Sequence, residues 1–346
     1  MLTQRQNAIL EYLQKNGEAP QSSILAEIAT KFDAISKPTI LRDLEALLIA
    51  NLIIKKGKAR AVVYLPKISN PLLYYYSPDV YFKKSQDQRD IKEKFNWEIF
   101  NWFENVFTSS ELTRLEKINN EYQTKRTRLS PIALKKELER LTIEISWKSS
   151  RLEGNTYSLF ETETLIKEAR EASGHNKKEA IMILNHKVAF DYILSDPTKF
   201  KLLKPIKIRD VHSLLIKDLD VPDNWRSILV RIIGTNYQPI DNRFQIEDAV
   251  AKIVEVINKT KSPPEKALFA LALIAYTQPF VDGNKRTSRI VANALLLAND
   301  WCPMSLRSLD ETEYKKAMLL FYEQNSLAYL KELFIQQFEF AVKNYF

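Results

Sequence analysis

Along most of this chain apolar residues recur every three or four positions, the period of helices with one buried face. Ile9, Leu10 and Leu13 follow Thr3, a helix-capping residue type, and the pattern stops at Asn16-Gly17. Ile24, Leu25, Ile28 and Ala29 follow Pro20-Gln21-Ser22. After a break at Asp33-Ala34, Ser36 precedes Ile40, Leu41, Leu44 and Leu47, with Pro38 tolerated in the first turn. The rhythm then changes: Leu52-Ile53-Ile54 and Val62-Val63-Tyr64-Leu65 flank the basic turn Lys55-Lys56-Gly57-Lys58-Ala59-Arg60, which predicts a hairpin. Further helices are expected over about 90–105, with Phe95, Ile99 and Trp102, and over about 109–124. Another starts at Ser130-Pro131 and buries Leu134, Leu138, Leu141 and Ile145 as one stripe. Residues 265–277 and 290–298 are apolar almost all round, which predicts two helices at the centre of a core.

Three short helices and a basic hairpin over residues 1–66 describe a winged helix-turn-helix. The run Ser36-Lys37-Pro38-Thr39-Ile40-Leu41-Arg42-Asp43-Leu44 resembles the recognition helix of DeoR-like bacterial regulators, which enters the major groove. The resemblance implies DNA as a partner, with Lys37, Thr39 and Arg42 facing bases and Lys55, Lys56, Lys58 and Arg60 meeting phosphate. Asp43 on the same helix counts against affinity, and the other reading is a winged helix used for protein docking. Pro66, Pro71 and Pro78 with the aromatic cluster Tyr74-Tyr75-Tyr76 and Tyr81-Phe82 mark a connector packed between modules. The expected organisation is a winged module at 1–66, a helical connector at 67–129 and a helical domain at 130–346.

Between the two apolar helices lies Gln278-Pro279-Phe280-Val281-Asp282-Gly283-Asn284-Lys285-Arg286-Thr287-Ser288-Arg289. Charges in a loop flanked by buried helices are costly unless they meet something. The second helix starts near Asn284, so its first N–H groups and positive dipole end point at the loop, and Gly283 lets the backbone approach closely. Arg286 and Arg289, three apart, can converge on a polyanion, and Asp282 can hold a divalent ion beside it. Phosphate, metal and cations together indicate a nucleotide. Upstream, Ser149 and Glu153 share a face at the end of a helix closed by Gly154. A carboxylate is disfavoured at that negative dipole end, which suggests a cationic partner.

The loop resembles the Fic signature, H-P-F-x-(D/E)-G-N-x-R-x-x-R, at every position except the first. Ser149–Gly154 is similar to the inhibitory motif (S/T)-x-x-x-E-(G/N) of autoinhibited members. With Asn185-His186, His212 and residues 230–244, the resemblance spans about 130–340. It implies a mainly α fold: an all-helical core with a small β-hairpin flap, formed by residues 230–233 and 244–246 around Tyr237-Gln238-Pro239. It also implies AMP transfer from ATP to a hydroxyl of a target protein. By that resemblance Asp282 binds Mg²⁺; Gly283, Asn284 and Lys285 form the anion hole; Arg286 contacts phosphate and Arg289 the γ-phosphate. Glu153 pairs with Arg289 and restrains the site. The family's histidine is the general base, and position 278 is Gln, whose amide has no usable basicity. Loss of a positioned base costs about 10²–10⁴ in rate. The second reading is therefore a catalytically inactive nucleotide-binding transcriptional regulator. A toxin-like protein with another donor nucleotide fits less well, because the inhibitory segment is built in.

Composition agrees. Six glycines among 346 residues favour helices over dense sheet topologies. The single Cys302 excludes an internal disulfide and fits a reducing compartment. Residues 1–7 show no signal peptide, and no apolar run approaches the roughly 20 residues of a membrane span, so a cytoplasmic protein away from membranes is expected. Net charge of +8 is weak evidence for nucleic acid. His175, His186 and His212, the only histidines, read as structural. There is no P-loop, no G-x-G-x-x-G and no zinc spacing. Homodimerisation stays open, since winged helices and Fic proteins both often dimerise.

Overall fold

Side-chain caps decide where most of the helices begin. The structure is a computed structural model that describes residues 2–32, 35–58, 61–67 and 70–346, with Gln14 and Lys15 described in their backbone only. The expected break at Asp33-Ala34 and Arg60, expected in a wing, lie outside the described residues. Thr3 and Gln6 form a capping box on α1 (Gln4–Asn16), and Ser36 caps α3 (Lys37–Ile49), with α2 (Gln21–Ala29) between. Three strands, β1 (Ala19–Pro20), β2 (Ile53–Lys56) and β3 (Val63–Pro66), form an antiparallel sheet in the order β1-β3-β2. Lys56 faces Val63 and Ile53 faces Pro66. Gly57 turns the chain at φ +88°; a Cβ there would lie 2.2 Å from the Ala61 carbonyl oxygen, so no other residue fits.

These elements enclose their own core, built from Ile9, Leu13, Ile24, Ile28, Ile40, Leu44, Leu47, Ile53 and Tyr64. Asp43 is turned into this module. It is 4 % exposed and bonded to Arg5 and to Gln6 Nε2, so it does not oppose a partner at the outer face of α3. Its charge is therefore answered inside the module and not presented on the exposed face of α3.

The remaining helices are α4 (Pro78–Tyr81), α5 (Ser109–Arg128), α6 (Pro131–Arg151), α7 (Leu159–Glu168) and α8 (Lys177–Ser195). After them come α9 (Pro205–Ile216), α10 (Arg243–Lys259), α11 (Pro263–Thr277), α12 (Asn284–Ala298), α13 (Glu311–Gln324) and α14 (Ala328–Asn344). As their sequences require, α11 and α12 pack together at the centre: every residue from Ala267 to Thr277 is buried. Helices α8 and α9 lie against α12, α10 against α11, and α6 against α8, while α13, α14 and α5 close the other side. One hydrophobic core runs from Leu72 and Phe100 in the connector, through Leu115 and Tyr122 of α5, to Phe338 and Tyr345.

Two expectations fail. Residues 90–105 form no helix; only a short 3₁₀ turn, Trp97–Asn101, remains. The backbone there is held by tertiary partners: the Lys92 N–H donates to the Glu323 carbonyl, the Gln238 N–H to the Glu93 carbonyl and the Asn96 N–H to the Tyr276 hydroxyl. Phe95 stacks on Tyr276 at 4.8 Å and Ile99 is buried, so the apolar residues of this segment pack on the core without a helix.

The flap hairpin is also absent. Residues 230–233 have no strand partner, and Phe244–Ile246 belong to the first turn of α10. Asn242 accepts from the N–H groups of Phe244 and Gln245, and Ile246, Ala249, Val250, Ile253 and Ile257 then bury one helical face. Asn242→Ala should lower stability by about 1 kcal/mol in urea unfolding through loss of this cap; an unchanged midpoint would mean that the cap adds nothing.

Candidate active site

The loop between α11 and α12 is shaped from within. Gln278 ends α11 in the left-handed conformation (φ 50°), and Gly283 (φ 81°) precedes α12. A Cβ on Gly283 would press on Ile216 and His212 at 3.2 and 3.3 Å. The Gln278 amide is used at both ends: Nε2 donates to the Ala275 carbonyl (2.6 Å), and Oε1 accepts from Asn284 Nδ2 (2.9 Å). Asn284 also donates to the Phe280 carbonyl and accepts the Phe280 N–H, so its side chain staples the loop. What Asn284 has left for an anion is its backbone N–H, one of the first-turn donors of α12 that have no intrahelical acceptor.

Two residues that sequence reasoning did not assign to the site hold the loop from behind. Arg226 is buried, and its guanidinium donates to the carbonyls of Gln278 (2.5 Å), Ile228 (2.8 Å) and Ile240. Burial pushes this arginine down to about 10. No local pattern marks Arg226, because two of its three carbonyl partners, Gln278 and Ile240, lie in other segments. His212 stacks on Phe280 at 3.5 Å and donates from Nε2 to the Asp282 carbonyl at 3.0 Å. Burial lowers it to about 4, so it is neutral and beneath the loop.

The charged residues meet in two groups. Asp282 Oδ2 accepts from Arg286 Nη2 (2.7 Å); the carboxylate is 64 % exposed while the arginine is buried. Arg289 has no exposed side-chain surface. Its Nε donates to Ser149 Oγ (2.8 Å), and its Nη2 donates to the Ser149 carbonyl (2.9 Å) and to Glu153 Oε1 (2.8 Å). Tyr314 of α13 lies 3.4 Å from Nη1, a partner with no signal in the sequence. Glu153 Oε2 takes Lys285 Nζ at 2.9 Å. Burial works to raise the Glu153 carboxyl, but the charges of Arg289 and Lys285 and their hydrogen bonds outweigh it and hold it at about 2. A carboxylate thus occupies the point where two cations of α12, Lys285 and Arg289, converge. The structure therefore joins Ser149, Glu153, Lys285 and Arg289 in one group and Asp282 with Arg286 in another, while Gln278 and Asn284 are bonded to each other in the loop that Gly283 closes.

The N-terminal candidates lie apart from this cluster. Lys37 and Arg42 are exposed on α3, and Lys55, Lys56 and Lys58 are exposed on the hairpin. Thr39 is half-buried, and its hydroxyl is bonded to Ser36 Oγ at 2.9 Å. Among the described residues, no group of three or more His, Cys, Asp or Glu is placed to hold a metal ion, and no helix is long and apolar enough to cross a membrane.

Residues 202–296, which contain the loop, match the Fic/DOC family. The chain is 24 % identical over 169 residues to Protein adenylyltransferase fic-1 of Caenorhabditis elegans, covering 47 % of this chain and 33 % of that one. It is 26 % identical over 218 residues to Protein adenylyltransferase Fic of Drosophila melanogaster, covering 60 % and 43 %. The chain spans well under half the length of these curated relatives. A solved fragment of C. elegans Fic-1 superposes with a TM-score of 0.60 at 18 % identity, covering 68 % of this chain and 70 % of the fragment, a likeness of fold. The chain carries a Fic/DOC-family domain.

The buried contact yields a stability prediction. Because the Glu153 carboxyl sits near 2 rather than 4.5, its ionised form stabilises the fold fully above pH 4.5, and that stability is lost as pH falls toward 2. Glu153→Gln should cost about 3 kcal/mol at pH 7 and flatten the acid limb of a stability–pH curve measured by thermal melting. An unaltered acid limb would show that the carboxylate is not held this way.

Proposed function

We propose that this chain is a protein adenylyltransferase of the Fic type, restrained by its own Glu153 and slowed by Gln278. The observation that carries the reading is the Glu153 carboxylate bridging Arg289 and Lys285 at the start of α12. An internal anion in an anion site is displaced by a better one, and the terminal phosphate of ATP is the occupant that the loop's resemblance implies.

In this reading the first N–H groups of α12 and Arg286 hold the inner phosphates, and Arg289 takes the γ-phosphate once Glu153 withdraws. Asp282 fits a magnesium site, because its exposed carboxylate is held only by Arg286, and one carboxylate with substrate phosphates is an ordinary Mg²⁺ donor set. Bound there, Mg²⁺ supplies neutralisation of phosphate charge. The target hydroxyl oxygen bonds to the α-phosphorus, the bond to the bridging oxygen breaks, and pyrophosphate leaves with that electron pair. The hydroxyl proton passes to solvent, because the Gln278 amide has no usable basicity and is bonded within the loop. Electrostatic stabilisation by the cradle remains, so the expected rate is low rather than zero.

With Mg²⁺ and ATP labelled at the α-phosphate, Glu153→Gly should increase protein labelling over the unaltered chain. Adding Gln278→His should increase it by a further factor of about 10²–10⁴. Absence of label in both variants, with no calorimetric Mg·ATP binding by Glu153→Gly, would rule the reading out.

Nucleotide binding without any label would support the second reading, a nucleotide-responsive DNA-binding regulator. Its specific support is the outward placement of Lys37 and Arg42 on α3, with Asp43 neutralised inside the module. Lys37→Ala with Arg42→Ala should then weaken duplex binding and make it less salt-dependent in a fluorescence titration. Salt-insensitive or unchanged binding would leave this module to protein contacts.

A further inference from the structure

The buried side of α8 carries two consecutive polar residues, Asn185 and His186, that the reaction does not use. Asn185 Nδ2 donates to the carbonyls of Leu215 (3.3 Å) and Lys217 (2.6 Å) at the end of α9, and the Leu215 carbonyl also accepts from Arg286 Nη1 at 3.4 Å. His186 Nε2 lies 2.8 Å from Ser149 Oγ, and that oxygen accepts from Arg289 Nε at 2.8 Å. Each residue stands one bond behind one of the two loop arginines.

The protons at His186 are settled by its neighbours. The Met182 carbonyl, 3.0 Å from Nδ1, can only accept, so Nδ1 carries the hydrogen; Ser150 Oγ, 3.3 Å away, lies beside the same atom. Nε2 is then a bare acceptor, and it faces the Ser149 hydroxyl. Arg289 Nε can only donate, so the Ser149 hydroxyl must direct its own hydrogen at His186 and its lone pair at the guanidinium. Burial lowers the imidazole to about 3, which keeps it neutral in this tautomer. Without an acceptor at this point, the Ser149 hydrogen is free to rotate toward the cation and its lone pair away from it.

We propose that His186 is a positioning residue for Arg289. By accepting the Ser149 hydroxyl proton it locks the guanidinium in the orientation that takes Glu153 or, after Glu153 withdraws, the terminal phosphate of a nucleoside triphosphate. The inference rests on the reading of the loop as a phosphate site. A glutamine at 186 can bring Oε1 to the place of Nε2 and restore the acceptor, whereas asparagine reaches only the place of Nδ1.

The test uses the full chain carrying Glu153→Gly, so that the internal carboxylate does not compete, with Mg·ATP and Mg·ADP affinities measured by calorimetry. His186→Ala should weaken Mg·ATP about tenfold while changing Mg·ADP by less than about threefold, because only the triphosphate reaches Arg289. His186→Gln should keep the parent's preference for ATP, and His186→Asn should behave like alanine. Equal losses for both nucleotides, or none, would overturn the proposal. If the alanine variant does not fold, the contrast between glutamine and asparagine decides alone, and equal ATP preference in those two would overturn it. Failure of the Glu153→Gly parent to bind either nucleotide, or Arg289→Ala leaving its ATP preference intact, would instead overturn the phosphate-site reading.

Discussion

Arg289 is a full positive charge on a side chain with no exposed surface, and the elements around the loop are arranged to meet it. An ion buried this deeply costs several kcal/mol unless its charge and its donors are all answered. The answers come from three helices distant in sequence: α6 brings Ser149 and leads into Glu153, α13 brings Tyr314, and α8 brings His186 behind Ser149. The end of α6 is therefore tied to the start of α12 by charge, not only by apolar packing. Lys285 closes the second carboxylate oxygen, so Glu153 is neutralised twice over.

The same burial explains the form of the loop. Helices α11 and α12 are buried on almost every side, so the segment joining them is carried inward with its backbone groups, and those groups need partners. Asn284 and Gln278 satisfy the loop across itself, Arg226 covers carbonyls from three segments, and His212 covers the Asp282 carbonyl. None of these bonds requires a general base at position 278. Glutamine fits because its amide both donates and accepts, which keeps the cradle intact. The geometry that holds an anion is thus separable from the group that would activate a hydroxyl.

The N-terminal module solves its own problem independently. It has a separate apolar core and a separate ion pair, Arg5 with Asp43, which removes the acidic charge from the outer face of α3. Lysines and Arg42 remain outside, so its surface chemistry does not depend on the Gln278–Arg289 loop. The aromatic cluster beyond it, with Tyr76 against Tyr81 and Arg89 over Phe82, fastens the connector to α13 through the buried Arg89–Glu323 pair.

The sequence by itself determined the capped helices, the two central apolar ones, and the crowding of cations, carboxylate and amides in the Gln278–Arg289 loop, because caps, periodicity and a dense local motif are properties of neighbouring residues. It also pointed from Glu153 to a cationic partner, since a carboxylate at a helix C-terminus is unfavourable without one. Apolar spacing failed at residues 90–105, where it suggested a helix, and the family resemblance failed at residues 230–246, where it implied a hairpin. There, hydrogen bonds to Glu323, Gln238 and Tyr276 and the Asn242 cap decided otherwise. Only the tertiary structure could place Arg226, Tyr314 and His186, turn Asp43 inward, and give Glu153 two cations rather than one. Each of those depends on which distant segments converge, and no residue carries that information in its immediate neighbours.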